Sequence, residues 1–272
     1  MGSARFGIMA DHSALLPSVS FSWCDQVGRR LASHQPETVY YAASTIKLGI
    51  ALAVGRAVAA GDLSLRSVYG ATRSFEGASG ERFCLTGDHL DPEFPADGTD
   101  LSVADLCRLM ISRSSNEATN ILLGAVGIDA VAQVFADLRL ESTRVERLIG
   151  DPAAQDEGLT NETTAGDLTK LMRATVTGDL GPGRDVPRDV VSLFVEALEA
   201  QTIPPIGRSL ASGIRWGSKS GEVPGYRHDV AFIGDPGSED CRYFAVCTQG
   251  YEENAADEVI AGLVAALGLG GN

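Results

Sequence analysis

Positive charge is what this sequence has least of. Its 22 Lys and Arg face 36 Asp and Glu, a formal net charge of −14. A surface of that sign cannot gather phosphates or dock on an anionic bilayer, so nucleic acid and membrane drop out as partners. A small-molecule or short-peptide substrate fits better. Long apolar runs are missing too, each being broken by charge or glycine short of the roughly 20 residues a membrane span needs. Residues 1–17 hold one basic residue, Arg5, and no apolar core before a small-residue cleavage site. They do not read as a signal peptide, so a cytoplasmic setting is expected, with a trimmed secreted chain as the alternative. The cysteines (Cys24, Cys84, Cys107, Cys241, Cys247) are odd in number and lack metal-type pairing. All five are expected to be buried thiols. His12, His34 and His89 are scattered, and no metal or cofactor is expected. Internal repeats and low-complexity runs are absent.

What is there suits an enzyme-sized fold. At 272 residues, 44% apolar and 21% charged, the chain can build one large domain or two intimately packed ones. Val19, Phe21 and Trp23 alternate with serines, which predicts a strand, and a second strand is expected around 30–33. The period then changes: Ile46, Ile50, Val54 and Val58 recur every four residues before Gly61, so a helix opens at Ser44. Ser102 and Asp105 form a capping pattern for the next helix. Further helices are expected over 129–138, from Thr164 to Met172, over 189–201 and over 254–267. Strand character returns at 214–218, 229–234 and 243–248. Strands at both ends with helices between them predict an antiparallel sheet domain with flanking helices from 1–43 and 202–272, and a helical domain at 44–201 inserted into it. The fold class is α/β (α+β), with the chemistry at the seam.

Three short elements carry that chemistry. The first is Ser44-Thr45-Ile46-Lys47. A helix puts residues i and i+3 on one face, so the Lys47 amine can reach the Ser44 hydroxyl. Serine is a poor nucleophile without a base beside it, and a lysine serves once desolvation and nearby positive charge lower its pKa. The helix start also turns the Ser44 N–H toward a developing oxyanion. The second is Ser114-Ser115-Asn116, a hydroxyl to relay a proton and an amide to hold a substrate carbonyl. The third is Lys219-Ser220-Gly221 on a strand starting near Trp216. Lys219 brings positive potential, Ser220 a hydroxyl, Gly221 close approach of the ligand, and the Glu222 N–H a partner for that of Ser44 in an oxyanion hole. Each element alone reads equally well as a helix cap or a surface turn.

Together, in this order, they resemble the S-x-x-K, S-D-N and K-T-G marks of class A β-lactamases and penicillin-binding proteins. Ser114-Ser-Asn-Glu-Ala-Thr-Asn-Ile-Leu-Leu123 resembles the family's S-D-N-x-A-x-N-L-L-L run, with Ser115 in place of the aspartate, and Thr163-Thr164 matches its T-T. The resemblance covers Val19 to the C-terminus and implies the β-lactamase/DD-peptidase fold. It also implies an ion pair between Arg147 and Glu162 at the neck of the Ω-loop, and a substrate carboxylate on Arg227. One mark of the family is missing. Its water-activating glutamate falls on Ile149, and the asparagine four residues on falls on Ala153. Asp151 is the best substitute for deacylation, with Glu146 more suited to bracing the loop. His228, beside the cleft, favours a structural role.

The reading is a serine-nucleophile hydrolase or transacylase acting on an amide, ester or lactam carbonyl. Ser44 is the nucleophile, Lys47 the base, Ser114 with Lys219 the proton relay, and Asn116 and Ser220 orient the substrate. The alternatives are a true β-lactamase with a substitute deacylation base and a non-catalytic ligand-binding homologue. Retention of the motif serines and both lysines counts against the last.

Overall fold

The computed structural model describes residues 15–270. The stretch inspected for a signal peptide lies mostly outside them, and His12 wholly so. In chain order, strands β1 (Ser18–Cys24) and β2 (Arg30–His34) and the short β3 (Tyr40–Tyr41) lead through a 3-10 turn (Ala43–Ile46) into helix α1 (Lys47–Ala60). Four short strands follow: β4 (Val68–Gly70), β5 (Ser74–Glu76), β6 (Arg82–Cys84) and β7 (Asp100–Ser102). Then come α2 (Val103–Ser112), α3 (Asn116–Val126), α4 (Ile128–Asp137), β8 (Arg144–Val145), α5 (Pro152–Asp156), β9 (Asn161–Thr163), α6 (Ala165–Thr177), α7 (Arg188–Glu199) and α8 (Pro205–Ser209). Strands β10 (Trp216–Val223), β11 (Tyr226–Ile233) and β12 (Arg242–Gln249) and helix α9 (Glu253–Ala266) close the chain.

The main sheet is antiparallel, in the order β10-β11-β12-β1-β2. Both of its faces are covered. Val230, Phe232, Tyr243, Ala245 and Cys247 point into the core that holds α1, α2, α6 and α7. Ala231, Ile233, Phe244 and Val246 join Val19, Phe21 and Trp23 under α8 and α9. Strands buried on both faces read as continuous apolar runs, which is why β11 and β12 show no alternation. Strand β10 runs further than its apolar residues announce, because Lys219, Ser220 and Gly221 are themselves in the ladder, opposite Val230, Asp229 and His228.

The middle of the chain is not purely helical, since β3, β9 and β8 form a small sheet of their own. Ser102 makes the expected capping box with Asp105, and Thr164 caps α6 through Asp167 N. The segment Ala43–Ala60 is, by length and composition, the one single described helix apolar enough to cross a bilayer. That differs from the sequence expectation, in which every apolar run is broken by charge or glycine short of a span. Most of the segment is buried, with α1 packed against α3, α4 and α6, so its all-round apolarity marks a core helix. A second expectation fails at Cys84, which is exposed while the other four cysteines are buried. In the β5–β6 hairpin the two-residue period turns Phe83 inward and Cys84 out.

Gly217 lets β10 lie directly on the last turn of α7. A Cβ there would come within 2.9 Å of both Glu199 N and Leu198 C, which are backbone atoms that cannot swing aside. Gly217→Ala should therefore lower stability by about 1–3 kcal/mol, seen as a lower urea midpoint at unchanged m-value.

Candidate active site

The 3-10 turn and the junction of α2 with α3 meet beside β10. Ala43, just before Ser44, holds φ at 45°, and Ser114 holds φ at 59°. Non-glycine residues rarely adopt that region, and each such position costs on the order of 1–3 kcal/mol that the surrounding packing must supply. Around Ala43 the bracing is visible. Ala42 N donates to Asn161 O at 2.8 Å, and Thr45 Oγ1 to Ala42 O at 2.6 Å. His228 adds a tie from the sheet. Its Nδ1 accepts from Thr248 N at 3.2 Å, so the proton sits on Nε2, which donates to Tyr41 O at 2.9 Å. With both ring nitrogens engaged and the ring buried, desolvation pulls its pKa down to about 4, and the imidazole is neutral. The structural role expected of His228 matches this geometry.

Lys47 Nζ donates to Ser114 O at 2.7 Å, Asn116 Oδ1 at 2.8 Å and Ser114 Oγ at 3.1 Å. Lys219 Nζ reaches the same Ser114 Oγ at 3.1 Å and Ser220 O at 2.8 Å. Both lysines are fully buried. Desolvation first, then the Lys219 charge, pushes Lys47 well below its ordinary value, against a partial counter-pull from the carboxylates of Glu117 and Asp91. Desolvation likewise brings Lys219 down to about 7, with Asp229 opposing it. A free amine on Lys47 is the form that can accept a proton. Half-buried Ser44 has no hydrogen bond to Lys47 in this resting arrangement, which is common before substrate tightens a site.

Strand β10 supplies the facing wall. A Cβ on Gly221 would stand 3.0 Å from Ser44 N and 2.9 Å from Thr45 N, so any side chain would push the strand off the nucleophile turn. Asn116 completes its amide by donating to His89 O at 3.0 Å, which draws the 87–89 turn to the cleft. No role at the site was expected of His89, Glu117, Asp91 or Asn120. Buried Glu117 accepts from Ser115 Oγ at 2.9 Å and Asp91 N at 3.0 Å, so a carboxylate stands two residues from where the family's aspartate is missing. Ser115 meanwhile caps α3 through Ala118 N.

Three site expectations meet a different geometry. Asp151 is the N-cap of α5, accepting from Ala154 N at 3.2 Å and Ala78 N at 2.8 Å. Its carboxylate is buried and spent on backbone amides, which is the position of a cap rather than of a base for water. Arg147 does not pair with Glu162. The β8–β9 register sets Arg144 opposite Glu162, and those two pair at 3.0 Å. Arg147 instead donates to Leu159 O at 3.1 Å and Tyr41 Oη at 3.2 Å, lying over the Tyr41 ring. Arg227, expected to receive a substrate carboxylate, is buried and bound bidentately by Asp257, at 2.6 and 2.9 Å, and by Glu222. Glu146 accepts from Thr160 N at 2.9 Å and braces the loop neck. Ile149 is held by Asn120, which accepts from Ile149 N and donates to Ile149 O, each at 2.9 Å.

Residues 13–268 match the model of the beta-lactamase enzyme family. Among solved structures, a beta-lactamase from Sphaerobacter thermophilus is 29% identical, with a TM-score of 0.73 over 92% of this chain and 91% of that one. A beta-lactamase from Xanthomonas campestris pv. campestris is 21% identical, with a TM-score of 0.74 over 90% and 88%. PBP-A, also 21% identical, has a TM-score of 0.71 over 90% and 86%. No curated protein sequence gives a significant match.

The two lysines should leave opposite marks on pH dependence. Lys219 is charged below about 7 and neutral above it, so labelling of Ser44 by an anionic acylating agent should fall as pH rises through that value. Lys219→Arg, which stays charged, should move the falling limb to higher pH. The Lys47 limb has the other sign, with the rate lost as pH falls and the base takes up its proton. Second-order labelling rates across pH, for both proteins, check this.

Proposed function

The chain belongs to the beta-lactamase enzyme family, and on that footing we propose that it is a serine enzyme that forms an acyl-enzyme on Ser44 and releases it slowly to water. The observation that carries the reading is the meeting of Lys47 Nζ and Lys219 Nζ on one Ser114 hydroxyl, each at 3.1 Å. That arrangement supports a proton path. Neutral Lys47 takes the Ser44 hydroxyl proton as Oγ attacks the substrate carbonyl carbon. The carbonyl oxygen becomes an oxyanion between the N–H groups of Ser44 and Glu222. As the tetrahedral intermediate collapses, the bond to the leaving nitrogen or oxygen breaks, and that atom takes a proton from Ser114 Oγ. Ser114 recovers one from Lys47, which is neutral again. Lys219 stabilises the charge on Ser114 during the exchange, while Asn116 and Ser220 orient the substrate.

Release needs a polarised water or another acceptor. The resemblance aligns Ile149 with the family's water-activating glutamate, and an apolar group cannot polarise water. A substitute at Asp151 is disfavoured because both its oxygens already serve backbone amides. Transfer to an amine or alcohol acceptor, which brings its own nucleophile, would bypass that slow step, and a small ester, amide or peptide is the better substrate class. Binding without catalysis is disfavoured by the two desolvated lysines, an expensive arrangement to keep in a passive pocket.

Intact mass after exposure to a fluorophosphonate or a penicillin should show one adduct, mapped to Ser44 and absent from Ser44→Ala. With the penicillin, one equivalent should react in a burst before slow turnover. The deacylation step should run about a hundred to ten thousand times slower than it would with a general base in place. Ile149→Glu should shorten the adduct's lifetime. Burst-free turnover by the unmodified protein would sink the reading of slow release.

A further inference from the structure

Ser114, the hydroxyl on which both lysines meet, is the residue between Arg113, the C-cap of α2, and Ser115, the N-cap of α3. Its φ of 59° is one that a residue other than glycine keeps only where its surroundings over-determine it. Both chain neighbours of Ser114 are tied, and to the same two acidic residues. On one side the Arg113 guanidinium forks onto Asp91, Nε to Oδ2 at 3.0 Å and Nη2 to Oδ1. On the other, Ser115 Oγ donates to Glu117 Oε2 at 2.9 Å. Asp91 N joins the two sides by donating to Glu117 Oε1 at 3.0 Å. The bonds close a ring from Arg113 through Asp91, Glu117 and Ser115, with Ser114 as its backbone link. Glu117 is wholly buried, so its carboxylate depends on those donors in place of water. Lys47 has a hold outside the ring, because its acceptor Asn116 Oδ1 belongs to an amide that is bonded to His89 O. The ring therefore bears more on where Ser114 Oγ points than on where the base sits.

We propose that Glu117 is a positioning residue, which closes this ring and so aims the Ser114 hydroxyl at the leaving group of the substrate. The proposal rests on the acyl-enzyme reading, in which the leaving atom takes its proton from Ser114 Oγ. Glu117 acts only through Ser115 and Asp91. The exchange at position 115 fits this division of labour. A serine caps α3 as an aspartate would, through Ala118 N, but brings no carboxylate, and Glu117 supplies one from the first turn of the same helix.

Two reagents separate aim from a general loss of structure. With benzylpenicillin, the Ser44 Oγ–C bond forms, the lactam C–N bond breaks, and the nitrogen needs the Ser114 proton. With a fluorophosphonate, the Oγ–P bond forms, the P–F bond breaks, and fluoride leaves without a proton. In Glu117→Gln, acylation by the penicillin should slow roughly tenfold to a hundredfold more than phosphonylation does, both followed by intact mass. Arg113→Lys loosens the same ring at a partly exposed member and should lower the same ratio, so a Glu117 variant that fails to fold does not end the test. Ser115→Asp should return part of the penicillin rate to Glu117→Ala, because it keeps the cap and restores a carboxylate. A penicillin-to-fluorophosphonate ratio left unchanged by Glu117→Gln and Arg113→Lys, whether both rates fall together or neither falls, would overturn the proposal and leave the acyl-enzyme standing. A Ser44 that takes up neither reagent in the unaltered protein would overturn the acyl-enzyme reading and this proposal with it.

Discussion

The convergence of Lys47 and Lys219 on a single hydroxyl is the constraint that the rest of the site has to satisfy. An ammonium removed from water costs several kcal/mol unless it is paired or gives up its proton. Here each amine is given acceptors, the carbonyls of Ser114 and Ser220 and the Asn116 amide, and no carboxylate touches either one. The nearest negative charges, on Glu117 and Asp91, act on Lys47 from a distance and are held by Ser115, the Asp91 N–H and Arg113. That set of distances keeps Lys47 available as a base. Direct pairing with Glu117 would have kept it charged and useless for taking a proton.

Placing the hydroxyl between the amines requires unusual backbone. Ser114 sits at the bend where α2 stops and α3 starts, in a left-handed conformation, and the Ser115 cap and the Asn116 bond to His89 O fix both sides of the bend. On the other wall the strand must reach the nucleophile turn at van der Waals distance, which only Gly221 allows. The sheet therefore does more than bury apolar surface. Through Gly221 and the His228 bond to Tyr41 O it sets the orientation of the turn that carries Ser44.

How much of this could be read from the residues follows from the range of each interaction. The helix after Ser44, the capping box at Ser102 and the cap at Thr164 are local, and the pattern of three or four residues announces them. The grouping of the three motifs was legible only through their order along the chain and a resemblance, because nothing local says that position 114 meets position 219. Registry was not legible at all. The partner of Glu162 turned on whether Arg144 or Arg147 stood opposite it in a two-residue strand. Arg227 looked available because two of its three captors lie on the last helix, 26 and 30 residues further along, at Glu253 and Asp257. Asp151 looked like a free carboxylate because its second partner, Ala78, comes from a hairpin 73 residues earlier.

Asn120 hydrogen-bonds Ile149 through its main-chain N–H and C=O. Such a grip is blind to the side chain. The loop can therefore keep its path whatever residue occupies that position. In evolutionary terms, position 149 is one place that selection can change without renegotiating the fold.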